Sequence, residues 1–361
     1  MSKSKVYKNH YDPTFIMNAK DADGCEPCWR IICSQERGPG KSFGFSKIMV
    51  NKLLDNNEES VILTRNVGDL GSVAKGIMNG FFEVERPDLS VREVVHQSRV
   101  YSDIYLDIKD GDESESKHLG WVIAIRKYNE VKRISSLFNR VNFIYFDEFQ
   151  PLDENGYLPN EVEKVYTVYK SIARGGGKAV REVPIVLCSN TISLGNPYFE
   201  ALGLNSHIQS DTRFYQGHNR VVFERCEVEG LKKMHAESGI DVSLKKHLER
   251  AHSNVWINDE STLVAKKRDR ENWGRPIYMC TLVYEGENLG MYEYPKVGYT
   301  FVSRSYEAGC KYIYCLTIDG SPNIPVFKTS TLMEQLKRNF FKGKVRFSDS
   351  LLQKLFMDLL G

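Results

Sequence analysis

No stretch of this 361-residue chain stays apolar over the roughly eighteen residues that a membrane-spanning helix needs. No basic leader followed by an apolar core is present either, so neither a bilayer helix nor a secretory signal is expected, and the sequence reads as cytoplasmic. An excess of one charge is also missing. Lys and Arg number 49 against 47 Asp and Glu, a formal net charge of +2, so no global field announces a nucleic-acid partner and any such contact must come from a local patch. The eight cysteines lack a metal framework. Cys25 and Cys28 have a metal or redox spacing, but no second such pair follows to complete four-coordinate zinc, and they read as reduced surface thiols. Cys33, Cys188, Cys280 and Cys315 lie inside apolar runs and read as small core residues. The 41% apolar content is that of a globular chain, and a prior of roughly one domain per 150 residues suggests two domains.

What is there is organised around Gln35 to Ser42, Gln-Glu-Arg-Gly-Pro-Gly-Lys-Ser, which follows the apolar run Trp29 to Cys33 and leads into Phe43-Gly44-Phe45-Ser46-Lys47-Ile48-Met49. The pattern is strand, glycine loop, helix. In a phosphate-binding loop, backbone N–H groups and the helix start face polyanionic phosphate, a lysine reaches the terminal phosphates and a hydroxyl holds Mg²⁺. Lys41 and Ser42 suit those two roles. Gln35 stands where the usual pattern has its first glycine, while Gly38 and Gly40 remain. Pro39 removes one N–H donor, which is tolerable only if that residue does not face a phosphate.

The second signal is Phe143-Ile144-Tyr145-Phe146-Asp147-Glu148, an apolar run too continuous for a half-exposed strand, ending in two carboxylates. In a nucleotide-hydrolysing fold, the first carboxylate after such a buried strand orders Mg²⁺ and the next polarises the attacking water. Asp147 then holds the metal and Glu148 is the base. The two motifs lie in the right order, roughly a hundred residues apart.

Other stretches fill in the scaffold. Residues 1–28 form an arm carrying Tyr7, Tyr11 and Phe15. Val61-Ile62-Leu63-Thr64 is a strand whose end displays Arg65, where open α/β sheets place ligand-facing groups. Asp69 to Asn79 has a helical pattern. Val100 to Ile108 and Trp121 to Ile125 read as a hairpin at the sheet edge, with an acidic turn from Lys109 to Lys117. Lys127, Lys132 and Arg133 form a basic cluster that is either a solvated loop or a contact for a neighbour's nucleotide or a DNA backbone. Glu161 to Ala173 has helical spacing and ends at Arg174 and three glycines, which display Arg174 as a candidate arginine finger. Val183 to Cys188 is another buried strand, and Asn190 beyond it can sense the γ-phosphate or orient water. The expected fold class is therefore α/β, a P-loop nucleotide hydrolase with a mostly parallel sheet.

Phe146-Asp147-Glu148-Phe149, Tyr157-Leu158-Pro159-Asn160-Glu161-Val162, Leu187-Cys188-Ser189-Asn190 and Asn196-Pro197-Tyr198-Phe199 resemble the genome-packaging ATPase of phi29-type small tailed phages. The loop Arg37 to Ser42 and the pair Gly120-Trp121 match in order as well. The close resemblance spans about residues 29–200. It implies an ATPase domain over residues 29–205, a connector over 206–254 and a C-terminal domain of RNase H-like shape, a vestigial nuclease, over 255–361. It implies a pentameric ring that drives double-stranded DNA into a procapsid, docked at its portal either directly or through an RNA or protein adaptor in the host cytoplasm, without membrane. By the same resemblance ATP and Mg²⁺ are the ligands, with nucleotide contacts on Arg37, Gly38, Pro39, Gly40, Lys41, Ser42 and Phe43. Ser42 and Asp147 hold the metal, Lys132 or Arg133 lies at the subunit interface, and the trans-acting finger is Arg174. The three glycines after Arg174 depart from the family pattern, so the finger's register stays open between Arg174 and Arg181.

In the C-terminal part, Pro276 to Tyr284, Met291 to Tyr294, Thr300 to Ser303 and Lys311 to Ile318 read as strands, with helices from Thr329 to Phe340 and Ser348 to Leu360. The first of these strands carries no carboxylate, whereas an RNase H-type nuclease needs several. No nuclease activity is expected. Two rival readings remain: a nuclease-competent terminase, and an ATP-dependent clamp or switch with little turnover. The basic stretches Lys266 to Arg270 and Lys337 to Arg346 suit either solvated faces or nucleic acid.

Overall fold

The computed structural model describes residues 7, 10–34, 38–111, 113–151, 156–174, 181–190, 196–205, 207–208, 212–229, 263–265, 267–284, 287–316, 324–349, 352–353 and 355–357. The chain forms two compact units. The first comprises Met1–Leu204 and Asp211–Val255, and the second comprises Asn205–Ser210 and Trp256–Gly361. Among the described residues no helix is long and apolar enough to cross a membrane.

The first unit is mixed α/β, built on a nine-stranded, mostly parallel sheet. Its strands are β1 (Trp29–Ser34), β2 (Glu59–Thr64), β3 (Leu89–Val95), β4 (Tyr101–Asp110), β5 (Glu113–Ala124), β6 (Val141–Phe146), β7 (Ile185–Ser189), β8 (Phe214–Gln216) and β9 (Val221–Cys226). Their order is β3-β4-β5-β2-β6-β7-β1-β9-β8. The six strands from β5 to β9 pair in parallel, and the antiparallel β3, β4 and β8 form the two margins. Every residue of β2 and β7, and all but the first of β1, is buried. Burial at successive positions means that both faces are covered, which is why these strands read as continuous apolar runs and not as alternation.

The helices are α1 (Thr14–Asn18), α2 (Lys41–Asn56), α3 (Val73–Glu85), α4 (Tyr128–Val131), α5 (Glu161–Ala173) and α6 (Pro197–Ala201). Phe45, Met49 and Val50 of α2, Met78 and Phe81 of α3, and Tyr7, Tyr11 and Ile16 of the arm share one buried cluster with Ile32, Ile62 and Tyr145 of the sheet. The arm is therefore part of this core. A β-carbon on Gly44 would sit 2.7 Å from Pro13 Cδ, so that glycine lets the arm lie directly on α2. Gly120 plays the same part within the sheet, where a β-carbon would meet the Ser60 carbonyl oxygen at 1.8 Å.

Three expectations need correction. The sheet does not end near residue 205: β8 and β9, placed in the connector by sequence, complete it, and β9 lies parallel to β1 over six residues. The first expected helix after β2 starts later, at Val73, and carries Phe81 and Phe82 inside it. The hairpin strands run on through the acidic stretch and stay paired as far as Asp110 and Glu113. The remainder of the expected connector, residues 230–254, lies outside the described residues.

The second unit has five strands, β10 (Ile277–Tyr284), β11 (Glu287–Tyr294), β12 (Tyr299–Ser303), β13 (Ile313–Cys315) and β14 (Val345–Phe347), in the order β13-β10-β11-β12-β14. Strands β10, β11 and β12 form an antiparallel meander, while β13 lies parallel to β10 and β14 parallel to β12. Helix α7 (Thr331–Phe341) is capped by Ser330, whose hydroxyl accepts from the Met333 amide at 3.2 Å. Its Met333 and Leu336 pack with Cys280, Leu282, Val302 and Phe347 in a separate core. Strand β14 is too short to register as a hydrophobic run and was not expected. The second expected helix is described only at residues 352–353 and 355–357.

Candidate nucleotide site

Strands β6, β7 and β1 are neighbours, and the segments leaving their C-terminal ends supply the candidate site, the position that parallel sheets reserve for ligands. After β1 the backbone must turn sharply into α2. Gly38 and Gly40 adopt φ of +84° and +87°, a region that side-chain-bearing residues avoid. Pro39 is buried and its carbonyl accepts from the Tyr11 amide at 2.7 Å. Arg37, expected among the nucleotide contacts, lies outside the described residues. The ring of Phe43 lies 5.6 Å from that of Phe81 and borders a cleft of about 320 Å³ with His10, Pro13, Lys47 and Glu85.

Lys41 is only 4% exposed. Its ammonium donates to Ser34 Oγ at 2.5 Å and to Asn190 Oδ1, and Ser34 itself donates to Asn190 at 3.2 Å. A buried ammonium held by neutral acceptors, with no carboxylate among these bonds, is poised to exchange them for an anion. Ser42 Oγ donates to Asp147 Oδ2 at 2.9 Å. The sequence reading thus brought Lys41, Ser42, Asp147 and Asn190 to one sheet edge, where these side chains meet. A hydroxyl beside a carboxylate, after a glycine loop at a helix start, is the set of groups that a magnesium-bound triphosphate calls for. Burial pushes the neighbouring Cys33 thiol up to about 12, with Lys41 and then Arg225 pulling the other way, so it is a neutral packing group and not a nucleophile.

Glu148 is exposed and has φ of +50°, uncommon for a residue with a side chain. Its amide bonds Asp147 Oδ1 at 3.1 Å. What holds this bend is Arg65. Its guanidinium donates to the carbonyls of Glu148, at 2.7 Å, and Phe149, and to both oxygens of Glu161, at 2.9 and 2.8 Å. Four of the five Arg65 N–H groups are engaged in this way, so the structure gives this residue a framework role besides the ligand-facing one expected of it. It positions the backbone on which Glu148 sits. Sequence reasoning missed Glu161, which is fully buried and also bonded by Tyr198 Oη at 2.7 Å and the Leu158 amide at 2.8 Å. Ser34 was missed as well, although a hydroxyl closing the buried run Ile31-Ile32-Cys33 was a usable signal.

The expected interface cations divide. Lys132 and Arg133 are exposed on a 3₁₀ turn (Lys132–Phe138), and Arg174 is exposed just beyond α5. Arg181 is corrected as a candidate finger. Its guanidinium donates to the Phe138, Asn139 and Ile172 carbonyls and its amide to Ala173, so it ties off the end of α5.

The family model described as Podovirus DNA encapsidation protein (Gp16) matches residues 29–360. A DNA packaging protein of Bacillus phage B103 is 23% identical over 327 residues, covering 88% of this chain and 92% of the relative. Its counterpart in Bacillus phage PZA is 23% identical over 330 residues, covering 90% of each. Among solved structures, the bacteriophage Phi-29 viral genome packaging motor assembly superposes with a TM-score of 0.65 at 19% identity, covering 98% of both chains. The Phi-28 gp11 DNA packaging motor gives 0.54 at 14% identity over 97% of each, and both likenesses concern the fold.

Proposed function

This chain belongs to the Podovirus DNA encapsidation protein (Gp16) family, a phage genome-packaging protein, and we propose that it acts as an ATP-driven translocase of double-stranded DNA. The observation that carries this reading is the meeting of Lys41, Ser42, Asp147 and Asn190 at one edge of a parallel sheet, after two left-handed glycines. Lys41 and the loop amides bind the β- and γ-phosphates, and Ser42 and Asp147 hold the magnesium. The metal, when bound, neutralises charge on the phosphate oxygens. Glu148, exposed on a bend that Arg65 holds, accepts the proton of the attacking water. Asn190, tied to Lys41, is placed to register loss of the γ-phosphate and to pass that change to β7.

The subunits form a ring, a pentamer in this proposal, docked at the capsid portal directly or through an adaptor. Contact with DNA is to phosphates, since a packaging motor must be indifferent to sequence. The second unit is proposed to be RNase H-like, supported by its antiparallel meander with β13 parallel beside β10. No nuclease activity is proposed for it, because β10 carries no carboxylate.

The test is Glu148→Gln. This substitution removes the base and leaves the binding groups, so hydrolysis should fall by at least about a hundredfold while MgATP still binds as in wild type. If hydrolysis continued undiminished, Glu148 would not be the base, and wild-type protein that ignored ATP would end the motor reading altogether.

A further inference from the structure

The loop 38–41 contains one peptide unit whose orientation is not dictated by the helix that follows. Gly40 has φ +87° and ψ +21°, dihedrals of the third residue of a type II turn, and Pro39 before it has the fixed φ that the second position favours. The type I alternative differs mainly by a flip of the peptide between those two residues. In a trans peptide the carbonyl and the following N–H point in opposite directions. Turning the Pro39 carbonyl toward the arm therefore aims the Gly40 N–H away from it. The flipped peptide would withdraw that donor and leave a carbonyl dipole on the side where phosphate charge must sit.

One group selects between the two settings. The Tyr11 amide bonds the Pro39 carbonyl at 2.7 Å, and Tyr11 is itself held from below. Its hydroxyl donates to Glu224 Oε2 at 2.9 Å, while the Tyr7 hydroxyl donates to Glu224 Oε1 at 2.7 Å. Glu224 is 1% exposed on β9, the strand that lies beside β1. Both phenols are driven well above their ordinary pKa, by burial first and by the Glu224 charge second, so they remain donors at any physiological pH. A carboxylate buried at such cost with two fixed donors makes a rigid anchor.

We propose that Tyr11 is a positioning residue for the phosphate loop: anchored on Glu224, its backbone N–H fixes the Pro39–Gly40 peptide in the setting that presents the Gly40 N–H to phosphate. The proposal rests on the nucleotide-site reading above. It makes the arm part of the binding apparatus without contact to the ligand.

The experiment compares Tyr11→Phe with Tyr7→Phe. Each loses one hydroxyl donor to the same carboxylate, but only Tyr11 bonds the loop. With MgATP as the probe, Tyr11→Phe should weaken binding about tenfold, and Tyr7→Phe, which loosens Glu224 but leaves Tyr11 bonded to it, should weaken binding by clearly less at similar losses of melting temperature. In wild-type protein, amide exchange at residues 10–12 should slow when MgATP binds, because coupling between loop and arm is reciprocal. Wild-type affinity in Tyr11→Phe, equal losses in the two variants, or exchange untouched by MgATP would overturn the proposal. Absence of MgATP binding by wild-type protein would instead sink the nucleotide-site reading itself.

Discussion

At the scale of single residues, the arginine after β2 illustrates how position and role separate. Arg65 stands at the C-terminal end of a parallel strand, where ligand contacts concentrate, and on that ground it reads as a nucleotide contact. The structure gives it a buried carboxylate partner, two carbonyls and two aromatic rings, Phe146 at 4.9 Å and Tyr157 at 5.5 Å. Nothing in the sequence names Glu161 as that partner, because the two lie 96 residues apart and meet only once β2 and α5 are packed. The placement of Lys41, Ser42 and Asp147 was legible for the opposite reason: each position is set by a local pattern of strand, loop and helix. Arg65→Ala removes the guanidinium and leaves Glu161 buried with only the Tyr198 hydroxyl and the Leu158 amide among its described bonds. The cost should be about 3 kcal/mol of unfolding free energy, read from urea denaturation. Hydrolysis should fall as well, since the bend at Glu148 loses its support, and unchanged stability together with unchanged turnover would remove Arg65 from the site's framework.

At the scale of elements, the central strands were readable because burial on both faces writes them as apolar runs, while β8, β9 and β14 were not. Phe214–Gln216 and Val345–Phe347 are three residues each, too short for a period to show. Strand β9, Val-Val-Phe-Glu-Arg-Cys, is fully buried yet carries Glu224 and Arg225, charges that the sequence suggests should face water. Two features of the β2–β5 pairing are testable. Gly120 has φ of +145°, and an added β-carbon would run into the Ser60 backbone, which cannot yield without breaking the β2–β5 ladder. Gly120→Ala should therefore cost about 4 kcal/mol or more and abolish the cooperative unfolding transition of the first unit. The neighbouring His118 bridges Glu59 at 2.9 Å and Asp103 at 3.2 Å. Burial alone would lower its pKa, but hydrogen bonds and charge from Glu59, then Asp103, outweigh it and raise the pKa above the ordinary value. A raised pKa means that the folded state holds this proton more tightly than the unfolded state. Its contribution is therefore complete below the unfolded value of about 6.5 and is lost as pH climbs through the folded one. Urea midpoints measured across that range should show wild type losing its advantage over His118→Asn as pH rises, and a constant difference would mean that the bridge does not titrate.

At the scale of the whole molecule, near-zero net charge argues against binding by overall attraction and puts the weight on where the cations are placed. Among the described cations discussed above, Lys41 lies in the site, whereas Arg65 and Arg181 are spent on Glu161 and on backbone carbonyls. Arg174, Lys132 and Arg133 stay exposed. Charge spreads over the phosphate oxygens in the transition state, and one lysine leaves room for a second cation from a neighbouring subunit. Arg174→Ala should then bind MgATP normally yet lose about a thousandfold in assembled hydrolysis. The decisive measurement mixes this variant with Glu148→Gln. Each alone should be inactive on the proposed roles, the first because it would give its neighbour no finger and the second because it would have no base. In a mixed ring, an Arg174→Ala subunit keeps its own base and receives an intact arginine from an adjacent Glu148→Gln subunit. In a random one-to-one mixture about a quarter of the sites are complete in this way, because a head-to-tail ring gives each site one donor. Hydrolysis should reappear on mixing and grow with protein concentration until assembly saturates. Two inactive variants that stay inactive together, under conditions where the wild-type ring assembles, would place the missing cation elsewhere, with Lys132 and Arg133 the next to be exchanged in the same way.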